Sequence, residues 1–548
     1  MREDSRQHIR MIRPYADAHP ISAECEIAYP RRILQERGHP SPTVRSQHGL
    51  TAHSMRWTRE YSNWVERSAR SFRFDLWYNP SRCGEPFARR EGMRRFSYAV
   101  VICLLVIGPM RFSSLAMAEP YGRVNPIVQQ IVAAISEERI AENLKKLESF
   151  QTRHTLSDPT HPTRGIGAAR TWIFEQFRSY SPRLQVSFDT YFVRKQGQRL
   201  VRDVELRNVV AVLPGTRQPE RRILICAHYD SLAIVRGPDG QVDWTQTDVF
   251  APGVTDNGSG TAAVLELARV LSQYEFEKTL VFVAFAGEEQ GLVGSTLYAQ
   301  KARREGQIIE AVLNNDIIGS DIAGDGASAN RVVWVFSEDP ADSSSRQLAR
   351  YVKRIGELYV PAMRVEMIFR HDRFGRGGDH TPFNHEGYAA VRLTTPNENF
   401  AHQHSATDTF ANASPAYTTL VTRINAAVAA TLALAPKPPV VTTERGLPLL
   451  GRGRSGYAAH LRWRNEDPEP DLAGYVIVMR ATTAPDWERE IFVGSVNEYV
   501  LEGVSIDAVT FGVKAVDKDG NESLVSAYVN PPRPRATFEL YDPGERRQ

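Results

Sequence analysis

Four short segments of the chain contain residues that can bind a metal ion or carry a proton. They read H-Y-D at 228–230, G-V-T-D-N-G-S-G at 253–260, G-E-E at 287–289 and N-N-D at 314–316. Histidine and carboxylate ligands suit zinc, and carboxylates that can bridge suit a site with two metal ions. Taken singly, these residues have plainer roles as helix caps, turn formers or solvated loops. Their combination makes a metal site the better hypothesis.

A second histidine ligand must come from further along the chain. The candidates are His371, His380, His385, His402 and His404. The residues alone do not choose among them.

Three of the four segments directly follow apolar runs of the kind found in strands buried on both faces of a sheet. These runs cover residues 222–227, 279–286 and 311–314. Asp256 instead comes from a glycine-rich loop that leads into a helical pattern. Ligands bind at the carboxyl ends of parallel strands. We therefore expect these side chains to meet at one edge of a sheet.

Strand and helix patterns alternate over most of the chain. Helices are predicted at 125–147, 165–180, 294–304, 344–359 and 415–434, and further strands at 186–194, 204–213, 332–336 and 389–393. This alternation predicts an α/β domain over 119–435, with a mainly parallel mixed sheet covered by helices on both faces. Residues 436–452 begin with a proline-rich stretch and are predicted to be a linker. Short alternating strands then predict a C-terminal all-β sandwich over 453–535, followed by a tail at 536–548.

The segment at 93–118 has the three parts of a secretory signal peptide. It joins a basic start, an apolar run at 96–110 and the small residues A-M-A at 116–118. The run is short for a membrane span, which needs about 20 apolar residues. We expect export to the periplasm or the medium, no stable membrane span after cleavage, and a non-native or disordered extension at 1–92. The alternative is a cytosolic tail on a signal-anchor.

Composition narrows the range of partners. The 548 residues are 42% hydrophobic and 24% charged, which indicates a globular chain with more than one domain. The formal net charge of +3 is small for this length and argues against nucleic acid as a partner. Of four cysteines only Cys226 lies beyond the predicted signal peptide, so no intrachain disulfide is expected in the exported protein.

Six motifs in the same order resemble those of the co-catalytic di-zinc exopeptidases of the aminopeptidase Y and bacterial leucyl aminopeptidase type. They are the four segments above together with G-D-H-T-P-F at 378–383 and H-S-A-T-D-T at 404–409. The resemblance covers roughly residues 125–435. In the C-terminal region, the runs at 471–478 and 511–523 resemble fibronectin type III modules.

The resemblance implies two zinc ions per chain. His228 and Asp316 would bind one ion and Glu289 and His404 the other, with Asp256 bridging them. His404 is favoured over His402 because S-x-x-D-T follows it. The bond after Asp256 is expected to be cis, as it often is in relatives.

The resemblance also assigns roles around the ligands. Glu288 would be the general base, and the Asp230 carboxylate would accept the second N–H of the His228 ring. Asp379, His380 and His402 are candidates for the substrate pocket. Some relatives place a tyrosine before the last ligand, where this chain has Gln403. The oxyanion would then rely more on zinc or on another donor, such as His402 or His380.

The predicted activity is removal of N-terminal residues from peptides with a free N-terminus. A glutaminyl cyclase shares the fold but uses one zinc and lacks the first histidine, so His228 argues against it. A carboxypeptidase and a non-catalytic binding protein are further alternatives. The C-terminal module is expected to be a spacer, a contact to a surface or polymer, or a passive appendage.

Overall fold

The structure is a computed structural model that describes residues 121–465 and 467–531. The predicted extension at 1–92, the signal peptide at 93–118 and the tail at 536–548 lie outside the described residues. Within the described ranges, none of the helices combines the length and apolar character needed to cross a membrane.

The N-terminal part of the described chain alternates strands and helices. The helices are α1 Pro126–Ala133, α2 Glu137–Ser149, α3 Gly165–Tyr180, α4 Ser259–Leu271, α5 Val293–Arg304, α6 Ser344–Tyr359, α7 His380–His385 and α8 Pro415–Leu434. The strands are β1 Gln185–Val193, β2 Val204–Leu213, β3 Gln218–His228, β4 Lys278–Phe285, β5 Ile308–Asn315, β6 Val332–Ser337, β7 Arg364–Ile368 and β8 Ala390–Thr394.

These strands form one eight-stranded sheet in the order β1-β2-β4-β3-β5-β8-β6-β7. The pairs β3–β4, β3–β5, β5–β8 and β6–β7 are parallel, and β1–β2, β2–β4 and β6–β8 are antiparallel. The prediction of a mainly parallel mixed sheet is therefore confirmed. The strands that precede the candidate ligands, β4, β3 and β5, are neighbours at its centre.

Helices cover both faces of the sheet, as predicted. Strand β4 is buried along its whole length. Its alternate residues pack on opposite sides, because successive side chains of a strand point to opposite faces. Leu280, Phe282 and Ala284 join the core that contains α4 and α8, whereas Val281 and Val283 join the core that contains α5.

One predicted helix is wrong in its extent. Residues 125–147 form two helices, α1 and α2, rather than one. The break comes at Ser136, whose extended backbone and side chain cap a new helix by accepting a hydrogen bond from Arg139 N. The predicted helices at 165–180, 344–359 and 415–434 have the bounds of α3, α6 and α8.

The C-terminal part consists of short strands in two further sheets. The strands are β9 Leu450–Gly451, β10 Ala459–Arg462, β11 Leu472–Ala481, β12 Arg489–Gly494, β13 Glu498–Leu501, β14 Val509–Asp517 and β15 Ser526–Ala527. One sheet has the order β13-β10-β9 and the other β12-β11-β14-β15. Trp463 and Tyr475 are buried in their shared core, with ring centroids 5.4 Å apart. Strand β9 and the buried Val441 come from the segment predicted as linker.

The strand-rich module is docked on helix α6 by buried polar contacts. Arg354 of α6 pairs with Glu522 at 2.9 Å and with Glu490 at 2.8 Å. The hydroxyl of Tyr351 donates to the carbonyl of Glu522 at 2.8 Å. On the other side of the contact, Arg480 of the module pairs with Asp342. The module is thus fixed to the α/β domain by several ion pairs and does not hang from a free linker.

Candidate metal centre

The candidate ligands lie where the central strands end. His228 is the last residue of β3, and Asp316 directly follows β5. Glu288 and Glu289 follow β4 after a short turn. Asp256 lies in the turn Val254–Gly258, which leads into α4 and in which Asp256 and Asn257 have non-helical backbone angles. The topology therefore brings together residues that are far apart in the sequence.

Two groups of ligand atoms share Asp256. In the first, His228 Nε2 lies 3.3 Å from Asp256 Oδ1 and 3.6 Å from Asp316 Oδ1. In the second, His404 Nε2 lies 3.1 Å from Asp256 Oδ2 and 3.1 Å from Glu289 Oε1. Because each oxygen of Asp256 faces a different histidine, this carboxylate is placed to bridge two cations.

These residues fit the zinc ions that the resemblance implies. Each group offers one imidazole nitrogen and two or more carboxylate oxygens within 4.8 Å of one another, which is a ligand set typical of zinc. Asp316 Oδ1 and Glu289 Oε1 are buried and make no hydrogen bond of good geometry among the described residues, although His228 Nε2 and His404 Nε2 lie 3.6 and 3.1 Å away. Buried carboxylate oxygens are normally paired or coordinate a metal. Asp316 and Glu289 are both members of the ligand groups.

The pKa values show how strongly negative this cluster is. Burial lowers the pKa of His404, but Glu289 and Asp256 outweigh burial and raise it to about 11. Burial also lowers the pKa of His228, and Glu288 with the neighbouring aspartates raises it well above its usual range. The carboxylates around both rings therefore favour their protonated forms. Since zinc binds neutral imidazole, metal binding must release these protons.

Glu288 belongs to neither of the groups that share Asp256, although with His228 and Glu289 it forms a third set of possible ligands. Its side chain is 14% exposed, and Oε2 lies 3.9 Å from His228 Nε2. Burial raises its pKa well above the usual range, and the carboxylates of Glu289, Asp316 and Asp379 add to this, against the opposing effect of His228. Glu288 also lines the open cavity at this edge of the sheet. It can therefore exchange a proton with a molecule in the cavity.

Asp230 contacts His228 differently from the expectation. His228 Nδ1 lies 3.1 Å from the main-chain carbonyl of Asp230 and 3.5 Å from its carboxylate. The carboxylate instead accepts the backbone N–H groups of Glu288 at 3.3 Å and Glu289 at 3.2 Å, and the hydroxyl of Thr155. Asp230 thus positions the proposed base and a ligand as well as the histidine ring.

The loop that carries Asp256 is held from both sides. Asp408 accepts hydrogen bonds from Thr255 N at 2.9 Å and Asp256 N at 3.0 Å. Gly260 must be glycine, because an added Cβ would lie 2.1 Å from the carbonyl oxygen of Asn315. The peptide bond between Asp256 and Asn257 is cis, as the resemblance implies.

Arg153 ties this loop to the end of β3, and the sequence motifs do not include it. Its side chain is fully buried. Its guanidinium donates to the carbonyls of Tyr229 at 2.8 Å, Leu147 at 3.1 Å, Pro252 at 2.5 Å and Gly253 at 2.7 Å. It therefore fixes the residues next to His228 relative to those before Asp256.

Among the histidine candidates, only His404 joins the ligand groups of the described residues. Its backbone has φ 53°, a left-handed conformation that is rare for residues other than glycine and that clusters at functional sites. The preceding Gln403 donates its Nε2 to Asp256 Oδ2 at 2.8 Å. Gln403 therefore orients the shared carboxylate.

A cavity of about 320 Å³ opens over the two groups. Its wall is formed by Arg199, Asp256, Glu288, Glu289, Gly291, Leu292, Asp316, Arg373, Gly375, Arg376, Gly377 and His404. None of the three pocket candidates, Asp379, His380 and His402, is among these residues. Instead, Arg373, Gly375, Arg376 and Gly377, which come just before Asp379 and His380 in the chain, line the cavity.

The three pocket candidates have other surroundings. Asp379 and His380 are fully buried at the start of α7, where His380 Nε2 lies 2.9 Å from the carbonyl of His371. Burial raises the pKa of Asp379 to about 7. The ring of His402 contacts the hydroxyl of Thr407 at 2.8 Å. The sequence motifs contain no cluster of arginines, whereas Arg199, Arg373 and Arg376 all line the cavity.

Comparisons with known proteins identify relatives of this chain. The sequence profile of peptidase family M28 matches residues 208–429. A probable zinc metalloprotease of Pyricularia oryzae is 37% identical over 437 residues, which cover 72% of this chain and 83% of that protein. A probable zinc metalloprotease of Pyrenophora tritici-repentis is 35% identical over 429 residues, which cover 72% of this chain and 85% of that protein.

Two kinds of enzyme appear among the similar solved structures. The LapA aminopeptidase of Legionella pneumophila has a TM-score of 0.44 and 23% identity, over 57% of this chain and 75% of that chain. The glutaminyl cyclase of Fimbriiglobus ruber has a TM-score of 0.42 and 19% identity, over 54% of this chain and 94% of that chain.

Proposed function

Because this chain belongs to peptidase family M28 and is a zinc metallopeptidase, we propose that it is an aminopeptidase that holds two zinc ions. Its substrates would be peptides with a free N-terminus, from which it releases the first residue. The observation that carries the proposal is the pair of ligand groups that share Asp256, with Glu288 beside them. The ions would be held by His228, Asp256, Glu289, Asp316 and His404.

The residues of the site would divide the reaction between them. Zinc, when bound, supplies a Lewis acid that polarises a carbonyl and lowers the pKa of water. Glu288, which lines the cavity, would take a proton from the attacking water and return it to the leaving amine. Asp230 would hold Glu288 in place through the backbone N–H that it accepts.

The alternatives differ in the number of metal ions. A glutaminyl cyclase would hold one zinc and lack the first histidine, but here His228 completes a ligand group. A binding protein on this scaffold would have no need for Glu288 in the cavity. Metal content separates the three, with two zinc ions per chain for the peptidase, one for the cyclase and none for the binding protein.

The replacement Glu288→Gln tests the proposed base. We expect the variant to keep both zinc ions and to lose about 10²–10⁴ in turnover, because the amide cannot accept the proton. The measurements are zinc per chain by mass spectrometry and hydrolysis of aminoacyl-4-nitroanilides. Glu175→Gln, on the exposed face of α3, is the matched control. Residual activity above about a tenth of the unmodified protein would remove Glu288 from this role.

We also propose that the protein is exported and acts outside the cytoplasm. The support is the signal-like segment at 93–118, and N-terminal sequencing of the exported protein should then find a start near Glu119. The module at 453–535 would serve as a contact to a surface or polymer, and nucleic acid would not be a partner. We also propose that this module is a fibronectin type III domain.

A further inference from the structure

Positive side chains dominate the part of the cavity wall that the metal ligands themselves do not form. Arg199, Arg373 and Arg376 all line the cavity. The one aliphatic side chain among its lining residues is that of Leu292, and Gly291, Gly375 and Gly377 complete that part of the wall. A pocket for a large apolar side chain would be expected to have more apolar wall than this.

The three arginines are bound to the protein to different degrees. Arg373 is 13% exposed and is held by Asp372 at 3.0 Å and Glu398 at 2.8 Å. Arg199 donates to the carbonyl of Glu289 at 2.8 Å, and its guanidinium lies over the ring of Trp244. These two contribute charge but are largely occupied with structural contacts.

Arg376 is the arginine that remains available. It is 32% exposed, and its one ion pair among the described residues joins Nη1 to Glu398 Oε2 at 2.7 Å. Glu398 also pairs with Arg373, so a single carboxylate serves two guanidinium groups. Arg376 can therefore offer its remaining donors to a group in the cavity.

The charge balance of the cavity favours an anionic group there. The carboxylates of Asp256, Glu288, Glu289 and Asp316 would be balanced by two divalent cations. Glu398 and Asp372 are the carboxylates paired with the wall arginines among the described residues, and Asp372 is shared with Arg392, so positive charge remains in excess on this part of the wall. A guanidinium matches the planar geometry of a carboxylate, with which it forms charge-assisted hydrogen bonds.

We infer that the cavity selects substrates that carry a carboxylate close to the bond that is cleaved, and that Arg376 is the residue that recognises it. This inference rests on the proposed peptidase function and names its substrate class. The carboxylate can come from two sources. It is either the side chain of an N-terminal glutamate or aspartate, or the C-terminal carboxylate of a short peptide.

Two substrate pairs distinguish these sources. Glutamyl- and glutaminyl-4-nitroanilide differ by a side-chain charge at nearly equal size. N-acetyl-alanyl-alanine and its C-terminal amide differ by the terminal charge. We expect the charged member of one pair to have a kcat/KM at least about tenfold higher, which is what one charge-assisted hydrogen bond supplies. Arg376→Ala should bring that ratio close to one, mainly through KM.

Direct binding gives a readout that does not depend on turnover. By calorimetry, the zinc-loaded protein should bind glutamate more tightly than glutamine, or acetyl-alanyl-alanine more tightly than its amide, and Arg376→Ala should remove the difference. Arg376→Lys should keep part of the preference because it keeps the charge. Arg370→Ala removes an exposed arginine that does not line the cavity, and should change nothing.

The two proposals fail in different ways. If the zinc-loaded protein cleaves neither pair nor any other aminoacyl-4-nitroanilide, the peptidase proposal fails. If it cleaves other substrates but neither pair, or binds the charged and neutral members equally, the carboxylate inference is overturned. If substrates are cleaved but both ratios stay within about twofold, or if Arg376→Ala leaves a high ratio unchanged, only the carboxylate inference is wrong. Preference for the second pair would support the inference and point to a carboxypeptidase.

Discussion

Replacing Arg153 by methionine tests whether a buried arginine holds the metal site together. The side chain is fully buried, and its guanidinium reaches four carbonyl oxygens on three segments of the chain. Methionine has a similar length and no donor. The replacement therefore removes the hydrogen bonds while it keeps much of the packing.

The size of the effect follows from which carbonyls lose their donor. The carbonyl of Leu147 also accepts from Phe150 N, and that of Gly253 from Gly258 N. The carbonyls of Tyr229 and Pro252 have no donor other than Arg153 among the described residues. Leaving a buried acceptor without a partner costs about 1–3 kcal/mol, so two such acceptors cost about 4 kcal/mol. This is a large part of the usual 5–15 kcal/mol for unfolding.

The assay is unfolding in urea of the metal-free protein, followed by circular dichroism. Arg139→Met is the control, because Arg139 makes an exposed ion pair with Glu142 that should contribute less than about 1 kcal/mol. We also expect Arg153→Met to weaken zinc binding about 10–100-fold, since the segments next to His228 and Asp256 lose their connection. A change in unfolding free energy below about 1 kcal/mol would show that water or repacking replaces the guanidinium, and would refute the reasoning.

Two further predictions concern other buried carboxylates. Asp408→Asn should weaken zinc binding about 10–100-fold in a chelator competition, because the amide cannot accept both backbone N–H groups of the Asp256 loop, and unchanged affinity would argue against this support. Burial raises the pKa of Glu522, but Lys514 and Arg354 outweigh burial and lower it from 4.5 to about 2. The folded pKa lies below the unfolded value, so this stabilisation, about 3 kcal/mol, is present above pH 4.5 and is lost as the pH falls to about 2. In acid unfolding, Glu522→Gln should flatten the pH dependence in that window, and an unchanged slope would contradict the assignment.

The sequence predicts the central sheet well because a buried strand leaves a clear local pattern. Strand β4 is buried along its whole length and apolar from Leu280 to Phe285, and its end fixes where Glu288 and Glu289 must lie. The glycine-rich sequence around Asp256 is equally easy to recognise, because a position such as Gly260, where the fold leaves no room for a side chain, must be glycine. The features that the sequence predicts correctly are therefore those that depend on the backbone geometry of a few neighbouring residues.

The rest depends on contacts between distant segments. Arg153 looks like any surface arginine in the sequence, because its four acceptors lie on three segments that only the fold brings together. The arginines of the cavity wall have no periodic pattern, since they lie on loops. Similarly, the helical spacing of apolar residues continues past Ser136, so the sequence pattern does not reveal the helix break there. The break depends on one side-chain cap.

The metal ligands are supported by buried residues, whereas Arg376 lies on the cavity wall and is partly exposed. This difference affects function. The carboxylates of the two ligand groups are oriented by buried residues such as Asp230 and Asp408, whose partners are backbone groups on other segments. A change in those contacts should disturb metal binding and stability together. Arg376, in contrast, lies on a loop and has one ion pair, so its replacement should leave the metal site intact. Substrate preference can therefore vary on this scaffold without loss of its chemistry, as expected where function lies on loops supported by a rigid sheet.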